Sequence, residues 1–291
     1  MIAPAPAPVP PITVDELLAR YDFFLLDAYG VLVCATGVLP GAAAFLNRLR
    51  RADKPFLIVS NDASRSPATS QARYAGMGLP IAADQILTSG LLLADHYTRA
   101  GLAGAETIVL GTDDTAAYVR DAGGVVVPCD DDRARVVVVG DDDGYPFLDT
   151  VNEVISVLFR RMARGQETAL VLPNPDLIFP MRPGAFGITA GAIAALIEHV
   201  LRLRQPLSQP HDGLRFVPLG KPHRPMFESA ARRLGNPDPR RLVMLGDQLG
   251  TDILGAQRFG IDSVLVETGV ARLADLGVSD VHPTFTLRAL D

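Results

Sequence analysis

Phe23-Phe24-Leu25-Leu26-Asp27-Ala28-Tyr29-Gly30-Val31-Leu32 is the stretch on which the fold is decided. Four apolar residues run without alternation, as in a strand buried on both faces, which is the habit of a parallel sheet covered by helices. The run ends on a carboxylate and turns at once through a glycine. Far downstream, Leu242-Val243-Met244-Leu245 repeats the pattern, ends on Gly246-Asp247, and is followed by Thr251-Asp252. Open α/β sheets build their ligand sites beyond the carboxyl ends of the strands, so two strands that each deliver an acid there point to a site.

Ahead of this stretch, Thr13-Val14-Asp15-Glu16 reads as a helix start with a threonine cap and an acidic first turn. Helices are expected over 42–51 and 66–77, and a second strand over 56–59 ends at Ser60-Asn61-Asp62. A further βα series follows. Strands are expected over 107–110, 125–127, 135–139 and 169–172, with helices over 115–122, 147–163 and 190–204. The first series then resumes with strands over 216–219, 242–245 and 263–267 and helices over 226–234 and 253–259. The expected fold class is α/β: a Rossmann-like core with a parallel sheet, interrupted by a large inserted α/β cap. The boundaries read as a Pro/Ala-rich disordered arm over 1–11, a discontinuous core over 12–84 and 208–291, and the cap over 85–207, with a return linker over 205–213.

Composition excludes several classes. The 291 residues are 48% apolar and 21% charged with a net charge of −6, so there is no basic footprint for nucleic acid. No apolar run reaches the roughly 20 residues of a membrane span, and the N-terminal Ala/Pro stretch lacks the basic and apolar regions of a signal peptide. The expected location is cytoplasmic. Two cysteines, Cys34 and Cys129, do not make a disulfide framework. Lysine occurs only at Lys54 and Lys221, which narrows any mechanism that needs an ammonium.

The candidate chemistry follows from residue type and place. Asp27, after a buried strand, is suited to nucleophilic attack. Ser60 and the Asn61 amide sit where a turn can hold phosphate oxygens. Lys221, fixed between Gly220 and Pro222, would screen the repulsion between Asp27 and an anionic substrate. Asp27, Asp247 and a backbone carbonyl, with Asp252 as a ligand or just behind, offer the hard oxygens that Mg²⁺ takes. The acidic runs Asp130-Asp131-Asp132 and Asp141-Asp142-Asp143 read as solvated loops, and the five histidines show no metal-ligand spacing.

Taken in order, Leu26-Asp27-Ala28-Tyr29-Gly30-Val31-Leu32, Val59-Ser60-Asn61-Asp62, Gly220-Lys221-Pro222 and Gly246-Asp247 with Thr251-Asp252 resemble the four motifs of the haloacid dehalogenase superfamily. Asn174-Pro175-Asp176, Gly191-Ala192-Ile193-Ala194-Ala195 and Gly269-Val270 make the chain similar to the NagD-like branch, subclass IIA. The resemblance implies Asp27 as nucleophile, Ser60 and Asn61 at the phosphoryl group, and Lys221 as the motif-three cation. It implies a Mg²⁺ site from Asp27, Asp247, Asp252 and the Tyr29 carbonyl, and a substrate-facing loop at Asn174 and Asp176. The expected partner is a small phosphorylated substrate, and a homodimer through the cap is common in that branch.

Tyr29 departs from the pattern: family phosphatases carry there a second Asp that protonates the leaving oxygen and then activates water. Such catalysis contributes roughly 10²–10⁴-fold, and a phenol with an unperturbed pKa of about 10 is a poor base at neutral pH. Three readings stand: a Mg²⁺-dependent phosphohydrolase weakened by Tyr29, a non-catalytic phospho-ligand-binding protein, and a haloacid dehalogenase, whose first motif Asp-Ala-Tyr-Gly resembles.

Overall fold

The computed structural model describes residues 9–182, 185–204, 214–277 and 279–291. Two compact units share the chain: the described parts of Met1–Ser60, Ser70–Leu87 and Lys221–Asp291 make one, and those of Asn61–Thr69 and Thr88–Gly220 the other. The segment read as a return linker, 205–213, lies outside the described residues.

The first unit is built on six strands in the order Phe285–Leu287, Asp262–Val266, Leu242–Gly246, Phe23–Leu26, Phe56–Ser60, Ile86–Thr88. The Phe23–Leu26 strand pairs in parallel with both neighbours, Leu26 lying opposite Leu245 on one side and Ile58 on the other. That register brings three strands to their carboxyl ends in step, so Asp27, Ser60 and Asp247 all follow at one edge. Both faces are buried, as the unbroken apolar run requires. Phe24 and Leu26 pack with Leu17 from the Val14–Arg20 helix and with Phe45 and Leu46 from the Ala42–Arg51 helix, while the intervening Leu25 is also fully buried, its side chain on the opposite face by the period of two. Thr13 and Glu16 form a capping box at the start of the first helix, as the sequence pattern predicts.

Pro10 and Pro11 differ from the expected disordered arm. Pro11 bridges Thr286, and Thr286 N–H donates to the Pro10 carbonyl at 3.0 Å. Proline lacks a donor but keeps its carbonyl, which is the group this edge uses. Residues 1–8 lie outside the described residues.

The second unit carries its own five-stranded sheet, in the order Val217–Pro218, Ala169–Leu172, Val136–Val139, Glu106–Leu110, Val125–Val126, with every pairing parallel. Helices Phe147–Ala163 and Ala190–Leu201 cover one face through Val154, Val157, Ile193 and Ile197. The strand near 216–219 thus belongs here, paired with Val171 and Leu172, and not to the first series: its nearness in sequence to Lys221 is misleading, because the last return of the chain to the first unit comes after Gly220. An antiparallel hairpin, Ile178–Arg182 with Ala185–Ile188, also belongs to this unit and exposes Ile178, Phe186 and Ile188. Among the described residues, no helix is long and apolar enough to cross a membrane.

Candidate active site

The first unit gathers four charged side chains out of water. Lys221 Nζ lies 2.7 Å from Asp27 Oδ1 and 2.7 Å from Asp252 Oδ1. Lys221 is 2% exposed and Asp252 0%. Asp27, Asp247 and Asp252 each offer an oxygen within 4.8 Å of the others, and this is the one acidic, histidine or cysteine cluster of metal-binding geometry among the described residues. Buried charges must be paired, and the sum does not close: one ammonium faces three carboxyl groups.

The proton affinities record that imbalance. Burial works against the Lys221 ammonium, yet Asp252 and Asp27 overcome it and hold its pKa above the ordinary lysine value. Burial first, then Asp27 and Asp252, pushes Asp247 well above the usual carboxylate range. Asp252 is pushed up to about 6, burial outweighing Lys221. Such shifts belong to a site short of positive charge.

Asp247 shows where that charge belongs. Its Oδ2 accepts from Val270 N–H at 2.8 Å, while Oδ1 is buried with no hydrogen-bond partner. An orphaned carboxylate oxygen is costly, and a hard cation satisfies it. The Tyr29 carbonyl likewise accepts no hydrogen bond among the described residues. The donor set therefore fits Mg²⁺: oxygen ligands, net negative charge and one carboxylate oxygen otherwise without a partner. Space is kept by glycine. A Cβ at Gly30, where φ is +84°, would fall on Asp247 Oδ2, and one at Gly269 would do the same.

Asp252 owes its place to a π-type turn over Leu249–Ile253, which precedes the Leu254–Phe259 helix. Its Oδ2 accepts from Gln248 N–H at 3.2 Å. A helical segment over 253–259 is expected from the sequence; the π turn, a feature that often marks functional sites, is not. Thr268 also escapes the sequence reading. Its Oγ1 donates to the Gly30 carbonyl at 2.7 Å and fastens the turn after the Asp27 strand. The visible signal is Thr268-Gly269 two residues past the end of the apolar Asp262–Val266 strand.

On Asp27, Lys221 engages Oδ1, and Oδ2 takes no hydrogen bond among the described residues. One oxygen is held and the other is left to react. Tyr29 is half-buried, and burial first, then Cys34, raises its phenol pKa. Its hydroxyl makes no hydrogen bond among the described residues. Asp62 offers no simple replacement for the missing acid, since Oδ1 accepts from Ser64 N–H and Oγ and Oδ2 from Arg65.

Ser60 closes the Phe56–Ser60 strand and is half-buried. Asn61, the next residue, belongs to the second unit. There its Nδ2 donates to Asp176 Oδ1 at 2.9 Å and its carbonyl accepts from Ser89 Oγ at 2.6 Å. The following residues are gripped in the same way: Thr115 Oγ1 donates to the Ala63 carbonyl, Thr112 Oγ1 to the Ser64 carbonyl, and Ser66 N–H to Asp114. Asn174 orders the 174–176 turn from within, Oδ1 accepting from Asp176 N–H at 3.0 Å and Nδ2 facing Thr189 Oγ1 at 3.4 Å. The structure so brings together Asp27, Lys221, Asp247 and Asp252 in one unit, and Asn61, Asn174 and Asp176 in the other. The acidic runs are not the freely solvated loops expected. Asp131 pairs with Arg133, Asp132 pairs with Arg160 and Arg164, and burial pushes Asp141 up to about 6.

A parallel core with these carboxylates at its edge defines a class, and comparison with known proteins names it. The profile of haloacid dehalogenase-like hydrolases matches residues 24–124, and that of the HAD-hydrolase-like group matches 218–291. Human chronophin is 32% identical over 272 residues, covering 89% of this chain and 86% of its own length. An acid sugar phosphatase from Staphylococcus aureus is 25% identical, covering 94% and 97%. Among solved structures, a possible sugar phosphatase from Cytophaga hutchinsonii superposes with a TM-score of 0.82 at 30% identity, covering 96% of this chain and 98% of that one. The chain belongs to the haloacid dehalogenase superfamily of hydrolases. Within it, the inserted α/β unit sets it in the NagD-like branch.

Proposed function

We propose that this chain is a Mg²⁺-dependent phosphohydrolase that cleaves small phosphorylated metabolites, of the sugar-phosphate or nucleotide-like kind, through an aspartyl-phosphate on Asp27. The observation that carries the reading is the buried quartet of Lys221, Asp27, Asp247 and Asp252, with an orphaned oxygen on Asp247 and an uncommitted oxygen on Asp27. Relatives named as sugar phosphatases support the substrate class. The absence of a spanning helix among the described residues is compatible with action in the cytoplasm.

Asp27 Oδ2 attacks phosphorus while Lys221 fixes Oδ1 and offsets the charge that gathers as an anionic ester approaches. The new Oδ2–P bond forms as the bond from phosphorus to the leaving oxygen breaks. Ser60 and the Asn61 amide hold the transferring group. Asp247, Asp252, Asp27 and the Tyr29 carbonyl would hold Mg²⁺, which when bound supplies charge stabilisation to the phosphoryl oxygens. Water then attacks phosphorus as the Oδ2–P bond breaks, which returns the Asp27 carboxylate and releases phosphate, the proton that water gives up passing to solvent or to the departed oxyanion.

Tyr29 shapes the rate. Its raised pKa keeps the phenol protonated at neutral pH, so it gives up its proton reluctantly and almost none of it is present as the phenolate that could act as a base. Esters whose leaving group needs no proton are expected to turn over best. The same feature favours a second reading, a protein that binds phosphorylated ligands without turnover. The dehalogenase reading has Asp-Ala-Tyr-Gly in its favour, but the buried acidic pair Asp247 and Asp252 serves a metal that reaction does not need. Phosphate release from 4-nitrophenyl phosphate and from a sugar phosphate, each with and without Mg²⁺ and with Asp27→Asn as control, separates the three. Turnover dependent on Mg²⁺ and Asp27 supports the phosphohydrolase. Ligand binding without turnover supports the second reading, and metal-independent halide release from a haloacid the third.

A further inference from the structure

The second unit holds a concavity of about 560 Å³ that has no part in the chemistry above. It lies where the Val136–Val139 and Ala169–Leu172 strands begin, at the amino ends of a parallel sheet. Four of its lining residues are arginines: Arg133, Arg135, Arg161 and Arg164.

Arg161 is the unusual member. It is 5% exposed, and all of its hydrogen bonds go to neutral acceptors: Nε to Thr168 Oγ1 at 2.8 Å, and the two terminal nitrogens to the Asp132 and Glu167 carbonyls at 2.9 and 2.8 Å. It makes no ion pair among the described residues. A buried cation without a counter-ion is costly. Burial first, and then Arg135, loosens its hold on its proton. The Arg135 side chain makes no hydrogen bond or ion pair among the described residues either. Asp132 and Glu106 act on the guanidinium without forming an ion pair with it, and Glu167, which also lines the hollow, is exposed. The Asp132 carboxylate is already shared by Arg160 at 2.6 Å and Arg164 at 2.8 Å, and Arg133 is spent on Asp131. One buried guanidinium without an ion pair, Arg161, therefore shares the hollow with exposed Arg135, whose side chain has no carboxylate partner among the described residues, and with Arg164 beside them.

We propose that this hollow binds a small polyanion, a molecule carrying at least two phosphoryl or carboxylate groups, with Arg135, Arg161 and Arg164 as its ligands. The guanidinium fork matches both groups in the plane with paired hydrogen bonds, and the volume lies within the range of small-molecule sites. The anion would supply the counter-charge that Arg161 lacks.

Isothermal titration of the full-length, metal-free protein with inorganic pyrophosphate and, separately, with citrate tests this and distinguishes the two acid classes. The expected result is binding of one or both to the wild type and at least a tenfold loss of affinity in Arg135→Glu, with hydrolysis of an aryl phosphate unchanged. Arg135→Glu also offers Arg161 a carboxylate from within the chain, so its unfolding temperature should stay level or rise. Arg99→Glu, an exposed charge reversal elsewhere on the unit, should leave affinity within about twofold if the loss is specific to the hollow. Failure of both anions to bind the wild type, equal affinity in Arg135→Glu, or an equal loss in Arg99→Glu would each overturn the proposal.

Discussion

Replacing Lys221 with methionine removes the one cation of the buried quartet while keeping most of the side chain's length. Lys221 sits 2.7 Å from two carboxylate oxygens at 2% exposure, so the variant leaves Asp27, Asp247 and Asp252 facing one another without an ammonium. Breaking a buried ion pair by removing one partner costs about 3–5 kcal/mol. At roughly 2–4 °C per kcal/mol for chains of this size, the first unit should unfold roughly 6–20 °C lower in chelator-treated protein at pH 8. The pH dependence has a definite sign. Asp252 is raised to about 6 and Asp247 is also raised well above the usual carboxylate range, so the folded state binds more protons than the unfolded chain and stability falls as pH rises through and above the range from about 4 to 6. Without Lys221 the carboxyls are raised more, and the gap between variant and wild type should narrow on going from pH 8 to pH 5. Adding Mg²⁺ at pH 8 should recover part of the loss. Differential scanning calorimetry at both pH values measures all three effects. A variant that melts within 1 °C of wild type at pH 8 without metal, or one whose deficit grows toward pH 5, would show that the four groups are not the coupled cluster described.

Tyr29→Asp restores the missing acid, and kcat/KM on a sugar phosphate should rise at least tenfold within the roughly 10²–10⁴-fold reach of general acid–base catalysis, with a smaller gain on 4-nitrophenyl phosphate; equal gains on both would contradict the assigned role. Asp176→Ala removes the acceptor of the Asn61 side-chain amide at 2.9 Å and so loosens the turn that presents the Asn61 backbone N–H, and KM should rise by a similar factor for aryl and sugar phosphates while Asp176→Asn, which keeps an acceptor oxygen, stays near wild type; an effect confined to one leaving group would make Asp176 a direct substrate contact instead. We propose that a homodimer through the second unit would use Ile178, Phe186 and Ile188, all more than half exposed. Analytical ultracentrifugation should show a dimer that Ile178→Lys with Phe186→Lys converts to monomer, and a wild-type monomer at micromolar concentration would refute it.

Long buried runs announce themselves. Phe23–Leu26 and Leu242–Gly246 are legible because two-sided burial leaves no polar residue to interrupt them, and each ends on an acid the site uses. The capping box at Thr13 and the lysine between Gly220 and Pro222 are equally local signals. The features that escaped are non-local or short. Val217–Pro218 is a two-residue strand whose partner, Val171 with Leu172, is distant in sequence, and nothing local tells it from a strand of the core. Pro10 and Pro11 look like a free arm until Thr286 is seen beside them. Thr112 and Thr115 read as routine residues at a helix start, and their grip on the carbonyls of 63 and 64 depends on a turn that arrives from elsewhere. Arg161 shows the limit most clearly: an arginine on a helix is ordinarily a solvated charge, and only its burial among neutral acceptors reveals a missing partner.

In the proposed reaction Asp27 forms a covalent bond to phosphorus and Tyr29 slows the hydrolysis of that bond. Acid quenching of the Mg²⁺-loaded protein during turnover of 4-nitrophenyl phosphate, with peptide mass spectrometry of the quenched sample, tests it directly. A phosphoryl adduct is expected on the peptide containing Asp27, absent in Asp27→Asn, and accumulating because Tyr29 is a poor base for the hydrolytic step. Steady release of nitrophenol with no adduct on Asp27, or turnover that persists in Asp27→Asn, would contradict it.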